Sequence, residues 1–345
     1  MMSRCSCARL ALIALAIAAA APAGCAPRQR PGDAEVVVYT SVDQVYAKDV
    51  FDLFEKETGI QVREVFDTEA AKTTGLYQRL LSEGRRPRAD VFWNNEITRT
   101  IQLADARLAA DLSAEVPDDI PREWLDDAGR WAAFSLRARV IVYNTEMVQA
   151  AGAPRRLAEL TTEKWRGKVA IANPLFGTTA AHVAALYEVL GETQAERFLA
   201  GLKANDARIM EGNSAVRDAV GRGQVPVGLT DSDDFFAGLL EGQPLAVVLP
   251  DQDGPGTLVI PNSVMIVEGG PHPVQARRFV RFLLRLDVEE HLAFAPARQI
   301  PVRDHARRPA DLEQFDGIRG MTVDYRALAR RMPATAQRVE EILLK

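Results

Sequence analysis

A chain of 345 residues with 47% hydrophobic content is long enough for two packed cores, and its formal charge of −5 is mildly acidic. No Lys/Arg-rich run accompanies that charge, which argues against a nucleic-acid surface. The three cysteines, Cys5, Cys7 and Cys25, all lie near the N-terminus, so the rest of the chain has no thiol for a disulfide, a cysteine zinc site or a nucleophile.

Residues 1–24 read as an export signal, with Arg4 and Arg9 ahead of an apolar stretch, Leu10 to Ala21, too short to span a bilayer as a mature helix. Cys25 follows Ala23-Gly24 and resembles the lipid-bearing first residue of a bacterial lipoprotein, although Pro22 stands where that motif usually has Leu. Residues 25–34 then form a Pro-, Gly- and Arg-rich tether. The expectation is an exported, periplasmic protein, held to the membrane by a lipid alone or, with ordinary signal cleavage near the same place, soluble.

Beyond the tether, EVVVYT (35–40) reads as a buried strand, and Ser41-Val42-Asp43 opens a helix that turns Val50, Phe51 and Phe54 inward and ends at Gly59. IQVREV (60–65) is a second strand and Thr73 to Glu83 a second helix. ADVFW (89–93) is a third strand, running into Asn94-Asn95-Glu96 and another helix. This βαβαβα order predicts a parallel sheet covered by helices. AAFSLRARVIVYN (132–144) is too long for one ordinary strand and suits a chain crossing between lobes; Arg137 and Arg139 alternate along it as a solvated face would. The second half repeats the pattern through KVAIANP (168–174), ARIM (207–210) and VPVGLT (225–230), and GTLVIPNSVMIV (256–267) reads as a return crossing. Helices are expected over Val274 to Leu284, near Glu290, and from Thr335 to Leu344.

Two lobes joined by such crossings enclose a cleft, and in open α/β sheets ligands bind beyond the carboxyl ends of strands. The polar segments there are 40–44, 67–74, 94–96, 173–179, 212–214 and 230–234. The last, Thr230-Asp231-Ser232-Asp233-Asp234, is the most acidic. It suits a metal ion, a cation or a polar solute, and equally a simple helix cap. Asp43, Glu96, Asp231 and Asp233 would together offer four hard oxygen ligands to a hard cation. An anion would instead use Thr178, Thr179 and Ser214 at helix starts, with Arg137 or Arg139 as clamps. Tyr39 reads as core, Tyr46 stands between core and cleft, and His182, His272, His291 and His305 read as surface residues. No G-x-S-x-G, H-E-x-x-H or P-loop is present; an exported hydrolase using two of Asp231, Asp233 and Glu96 is the remote enzymatic alternative.

The blocks VVVYTSVDQVYAKDVFDLFEKETGIQV (36–62), RPRADVFWNNE (86–96), LTTEKWRGKVAIANP (160–174) and GLTDSDDFF (228–236) resemble the periplasmic solute-binding proteins of ABC importers, specifically the ferric-iron-binding group. The resemblance implies a two-lobed α/β fold of the type II periplasmic-binding class, with 35–136 plus 258–300 as one lobe and 137–257 plus 301–345 as the other. It implies a monomer that captures Fe(III), with phosphate or carbonate as an accompanying anion, for an ABC permease and its ATPase. The family's metal positions fall near Asp43 and on Glu96, and its anion-binding turns on Gly177-Thr178-Thr179, Asn213-Ser214 and Thr230. Ser41, Asn94 and Asn95 complete the expected solute-binding set. The chain departs from the group at one place: the usual paired tyrosines after Thr230 are replaced by Asp231-Ser232-Asp233-Asp234-Phe235-Phe236. A small organic or phosphonate-type anion, or a polyamine-like cation, is therefore the alternative ligand, and a receptor reporting to a sensor kinase would use the same fold.

Overall fold

The computed structural model describes residues 34–67 and 74–345. The signal, Cys25 with nearly all of the tether, and residues 68–73 of the polar 67–74 turn lie outside the described residues.

The first lobe is built on β1 (Glu35–Thr40), α1 (Gln44–Thr58), β2 (Gln61–Phe66), α2 (Thr74–Glu83), β3 (Val91–Asn94) and α3 (Ile97–Asp105). β1 lies between β2 and β3, parallel to both. Val36 and Val38 of β1 and Val50, Phe51 and Phe54 of α1 are buried in one cluster, as their spacing predicts. Gly59 ends α1 with a positive φ of 70° that a side chain would strain, and its N–H closes on the Glu55 carbonyl.

β4 (Ala132–Asn144) is buried along its whole length of 13 residues. It is followed by β5 (Val169–Ala172), α4 (Gly177–Leu190), α5 (Glu192–Ala204), β6 (Arg208–Met210), α6 (Asn213–Gly221), β7 (Val227–Asp231), α7 (Ser232–Leu240) and β8 (Leu245–Val248). The chain then returns through β9 (Val259–Ile266), α8 (Pro273–Leu283), α9 (Leu286–Phe294) and β10 (Ile300–Pro301), and finishes in α10 (Tyr325–Val339). The path through the sheet is β2-β1-β3-β9-β4-β7-β5-β6. It is a mixed sheet rather than the parallel one expected, because β9 returns antiparallel to β3 and β4.

β4 belongs to both halves. Ala132 to Ala138 pair with β9 of the first lobe, and Arg139 to Tyr143 pair with β7 of the second. Its Ala138, Val140 and Val142 enter one core cluster and Ile141 and Tyr143 another, so both faces of the strand are covered. Arg137 and Arg139 precede Ile141 on the same face and are buried with it, which corrects the solvated-face expectation.

Two further expectations are corrected. His182 is 1% exposed, because α4 is covered on nearly every side. The last long helix starts at Tyr325, ahead of the expected Thr335, and runs through Pro333 because Leu328, Ala329 and Met332 bury one face of it.

Candidate functional site

Five strand-to-helix turns converge on a cleft of about 460 Å³, open to solvent. The first lobe contributes Asp43, before α1, and Asn95, before α3. The second contributes Gly177, Thr178 and Thr179 at the head of α4, Glu211 and Asn213 at the head of α6, and Asp231, Asp233 and Asp234 at the head of α7. Arg137 of β4 completes the wall. Five carboxylates (Asp43, Glu211, Asp231, Asp233 and Asp234) and one guanidinium therefore line it, a strongly acidic complement. Carboxylate oxygens of Asp231, Asp233 and Asp234 all lie within 4.8 Å of one another.

Asp231 is the best-held of these groups. It precedes α7, yet its side chain makes no capping bond to that helix. It turns sideways, and its Oδ1 accepts from Arg139 Nη1 at 2.7 Å. Its Oδ2 accepts from Thr178 Oγ1 at 2.6 Å, Asn213 Nδ2 at 2.9 Å and Arg137 Nη1 at 3.2 Å. Burial works to raise the pKa of this fully buried carboxyl, but Arg139, Arg137 and the Thr178 hydroxyl outweigh it and hold the group below the usual carboxylate range. The simple-cap alternative does not describe Asp231.

Arg137 spans the cleft. Its Nη1 also donates to Asp233 Oδ2 at 3.0 Å, and its Nη2 donates to the Asn95 carbonyl of the first lobe. Burial works to lower its pKa, and Asp233 and Asp231 raise it further than burial lowers it. Arg139 also donates to Asn213 Oδ1 at 3.0 Å and Thr178 Oγ1 at 3.3 Å, so Thr178, Asn213, Arg139 and Asp231 form one closed network. His182, one turn along α4 from Thr178, is kept neutral: burial and then Arg139 lower its pKa to about 3.

Asp43, Asn95, Arg137 and Asp233 also border an adjoining cavity of about 390 Å³, together with Tyr46 and Trp93. Burial, then Asp233, Asp234 and Asp43, push the Tyr46 phenol above its ordinary pKa. Tyr39 lies elsewhere, donating to Glu83 Oε1 at 2.8 Å, and is core as expected.

Several expected residues are placed behind the cleft rather than on it. Glu96 caps α3: its Oε2 accepts from the Thr98 N–H at 2.8 Å and hydroxyl at 2.6 Å, and its Oε1 from the Arg99 N–H at 2.8 Å. At 1% exposure, it is turned into its own helix end instead of joining the other carboxylates. Ser41 donates to Asn94 Oδ1 at 2.6 Å and accepts from the Asn95 N–H at 3.0 Å, fixing the turn that presents Asn95. Thr230 donates to the Asn213 carbonyl at 3.1 Å and Asp234 Oδ2 at 3.0 Å, bracing the heads of α6 and α7. Ser214 stands on the first turn of α6, beside the lining residue Asn213. Glu211 lines the cleft one residue outside the expected 212–214 segment, and Arg137, expected on a solvated face or as an anion clamp, lines it too.

Two α/β lobes sharing a crossing strand, with strand-end turns from both around a polar cleft, define a binding protein for a small solute. The chain belongs to the family of bacterial extracellular solute-binding proteins, whose signature matches residues 95–317. It is 26% identical over 334 residues to the major ferric iron-binding protein of Neisseria meningitidis serogroup B, spanning 95% of this chain and 96% of that one. It is 29% identical over 257 residues to the Fe(3+)-binding periplasmic protein of Serratia marcescens, spanning 73% and 74%. A putative 2-aminoethylphosphonate-binding periplasmic protein of Salmonella typhimurium is 24% identical over 298 residues, spanning 83% and 82%. Iron-bound HitA from Pseudomonas aeruginosa superposes with a TM-score of 0.81 at 24% identity, over 89% of this chain and 99% of that one. AfuA from Actinobacillus pleuropneumoniae, with exogenous fructose-6-phosphate bound, superposes at 0.78 with 20% identity, over 90% and 99%. These likenesses establish the two-lobed periplasmic-binding fold. Among the described residues no helix is long and apolar enough to cross a membrane.

Proposed function

We propose that this chain is the extracytoplasmic capture component of an ABC importer, handing its cargo to a permease driven by an ATPase, and that the cargo is ferric iron. The observation that carries the reading is the clustering of carboxylate oxygens from Asp231, Asp233 and Asp234 in a cleft lined by five acids and one arginine. Carboxylates are hard oxygen donors matched to a hard cation. Arg137 and Arg139 offset part of the repulsion among them, and a trivalent ion offsets the rest. Asp43 and Asn95 lie on the opposite lobe, so an ion held by Asp233 and Asp234 gains ligands from both sides, and hinge closure over it is favoured. Two relatives named for ferric iron support the assignment. Titration with Fe(III) supplied as its citrate or nitrilotriacetate complex tests it: tight, one-to-one transfer to the protein is expected, and no transfer refutes the iron reading.

A second reading has its own support. Arg137 and the heads of α4 and α6 border the same cleft as the acids, an arrangement that suits a solute with an amine at one end and an oxyanion at the other. A relative named for 2-aminoethylphosphonate points the same way. That compound belongs beside Fe(III), inorganic phosphate and a polyamine in a thermal-shift panel, because a ligand of the folded state raises Tm with its occupancy.

A further inference from the structure

We infer that Asp231 is a built-in counter-anion: its carboxylate fills the place, between the heads of α4 and α6, that a small oxyanion would otherwise occupy, so the cleft loads its cation without one. The inference deepens the cation reading above and rests on it. Four side chains converge on this carboxylate, a hydroxyl from Thr178, an amide from Asn213 and guanidinia from Arg137 and Arg139, and every one of them donates. Such a set, placed at the positive ends of two helices, is the donor chemistry of an oxyanion receptor. The carboxylate that fills it is supplied by the chain itself, is fully buried, and is not spent on capping its own helix. Remove it and the buried Arg139 loses its carboxylate while Arg137 keeps only Asp233, so an anion from solution becomes the means of restoring the balance.

The test uses the full mature chain and its D231G variant, which leaves room where the carboxylate was. Formate, matched in size to the lost group, and inorganic phosphate are titrated by calorimetry and thermal shift, with no iron present. Wild type is expected to bind neither, and D231G to gain saturable binding of one or both, lost again in D231G/R139M. If D231G is poorly folded alone, recovery of its native circular dichroism with either anion is the same result. Binding of the anions by wild type, or failure of both to stabilise D231G, overturns the inference. A second arm measures Fe(III) transfer in buffer free of carbonate and phosphate. Wild type should be indifferent to added anion, whereas D231G should lose more than about tenfold in affinity and regain it with the anion. A purely structural ion pair would leave no such anion dependence of iron binding, and wild-type dependence on added anion refutes the inference. Absence of iron binding to wild type, with anion binding gained by D231G, would instead strike the cation reading and leave the counter-anion intact.

Discussion

Arg137 donates to Asp233 at 3.0 Å from a strand that both lobes share, while its other terminal nitrogen holds the Asn95 carbonyl across the cleft. One guanidinium is thereby joined to an acid of the second lobe and to the backbone of the first. Arg137→Met removes the charge and leaves Asp231 and Asp233 each with one partner fewer, with a cost of about 3–5 kcal/mol for breaking a buried pair. Urea unfolding should show that loss as a lower midpoint. Arg137→Lys should recover only part of it, since an ammonium cannot reproduce the forked contacts.

Asp233→Asn and Asp43→Asn address the cargo. Each keeps the side-chain shape and removes one negative charge from the cleft. Under the iron reading each lowers Fe(III) affinity by more than about tenfold in competition with citrate, with the fold retained by circular dichroism. Unchanged competition curves for both variants would sink that reading. Under the amine–oxyanion reading Thr178→Val, which removes a hydroxyl at the head of α4, weakens the organic ligand as well.

Tyr46 gives the iron reading a spectroscopic test. Its phenol is held protonated by burial and by Asp233, Asp234 and Asp43, and a trivalent cation among those acids inverts the field it feels. Iron loading should then produce a visible phenolate-to-metal charge-transfer band that Tyr46→Phe abolishes. A colourless iron complex would assign the ligands to carboxylates alone.

His182 should govern stability in mildly acidic solution. Its folded pKa of about 3 lies below the ordinary 6.5, so between those values the unfolded chain binds a proton that the folded chain refuses. Stability is therefore full above pH 6.5 and falls as the pH drops toward 3, by up to about 1.4 kcal/mol per pH unit. Asp231, whose folded pKa is also depressed, loses its contribution only below its unfolded value of 3.8, so the two effects separate. His182→Leu should flatten the urea midpoint between pH 6.5 and pH 4.

Glu96→Ala tests whether this side chain serves its own helix end rather than the cleft. Loss of this cap should cost about 1–2 kcal/mol while leaving cargo affinity within about twofold, whereas a Glu96 ligand would show the reverse.

The strand-end turns were legible because apolar β-branched runs stop abruptly at polar residues, and Asp43, Asn95, Thr178, Asn213 and Asp233 do border the cleft. Side-chain direction was not. Glu96 and Asp231 occupy the same kind of position, before a helix, and their residue types do not separate them. One folds back onto its own helix because Thr98 and Arg99 offer it three donors, and the other turns away because two arginines and the heads of two neighbouring helices draw it. Those arginines were hidden for a related reason: alternation along β4 resembles a wet face, and only the fold sets Asp231, Asp233, Thr178 and Asn213 over it. His182 reads as a surface residue because a lone histidine carries no record of how closely α4 is surrounded.

The pairing of β4 changes partner between Ala138 and Arg139, from the sheet of one half to that of the other. Arg137 and Arg139 stand on either side of that change of partner, at the join of the two halves. On the reading proposed above, the acids that meet the cargo travel with their own halves while the guanidinium that ties them together stays at the join, so one side chain registers the approach of both.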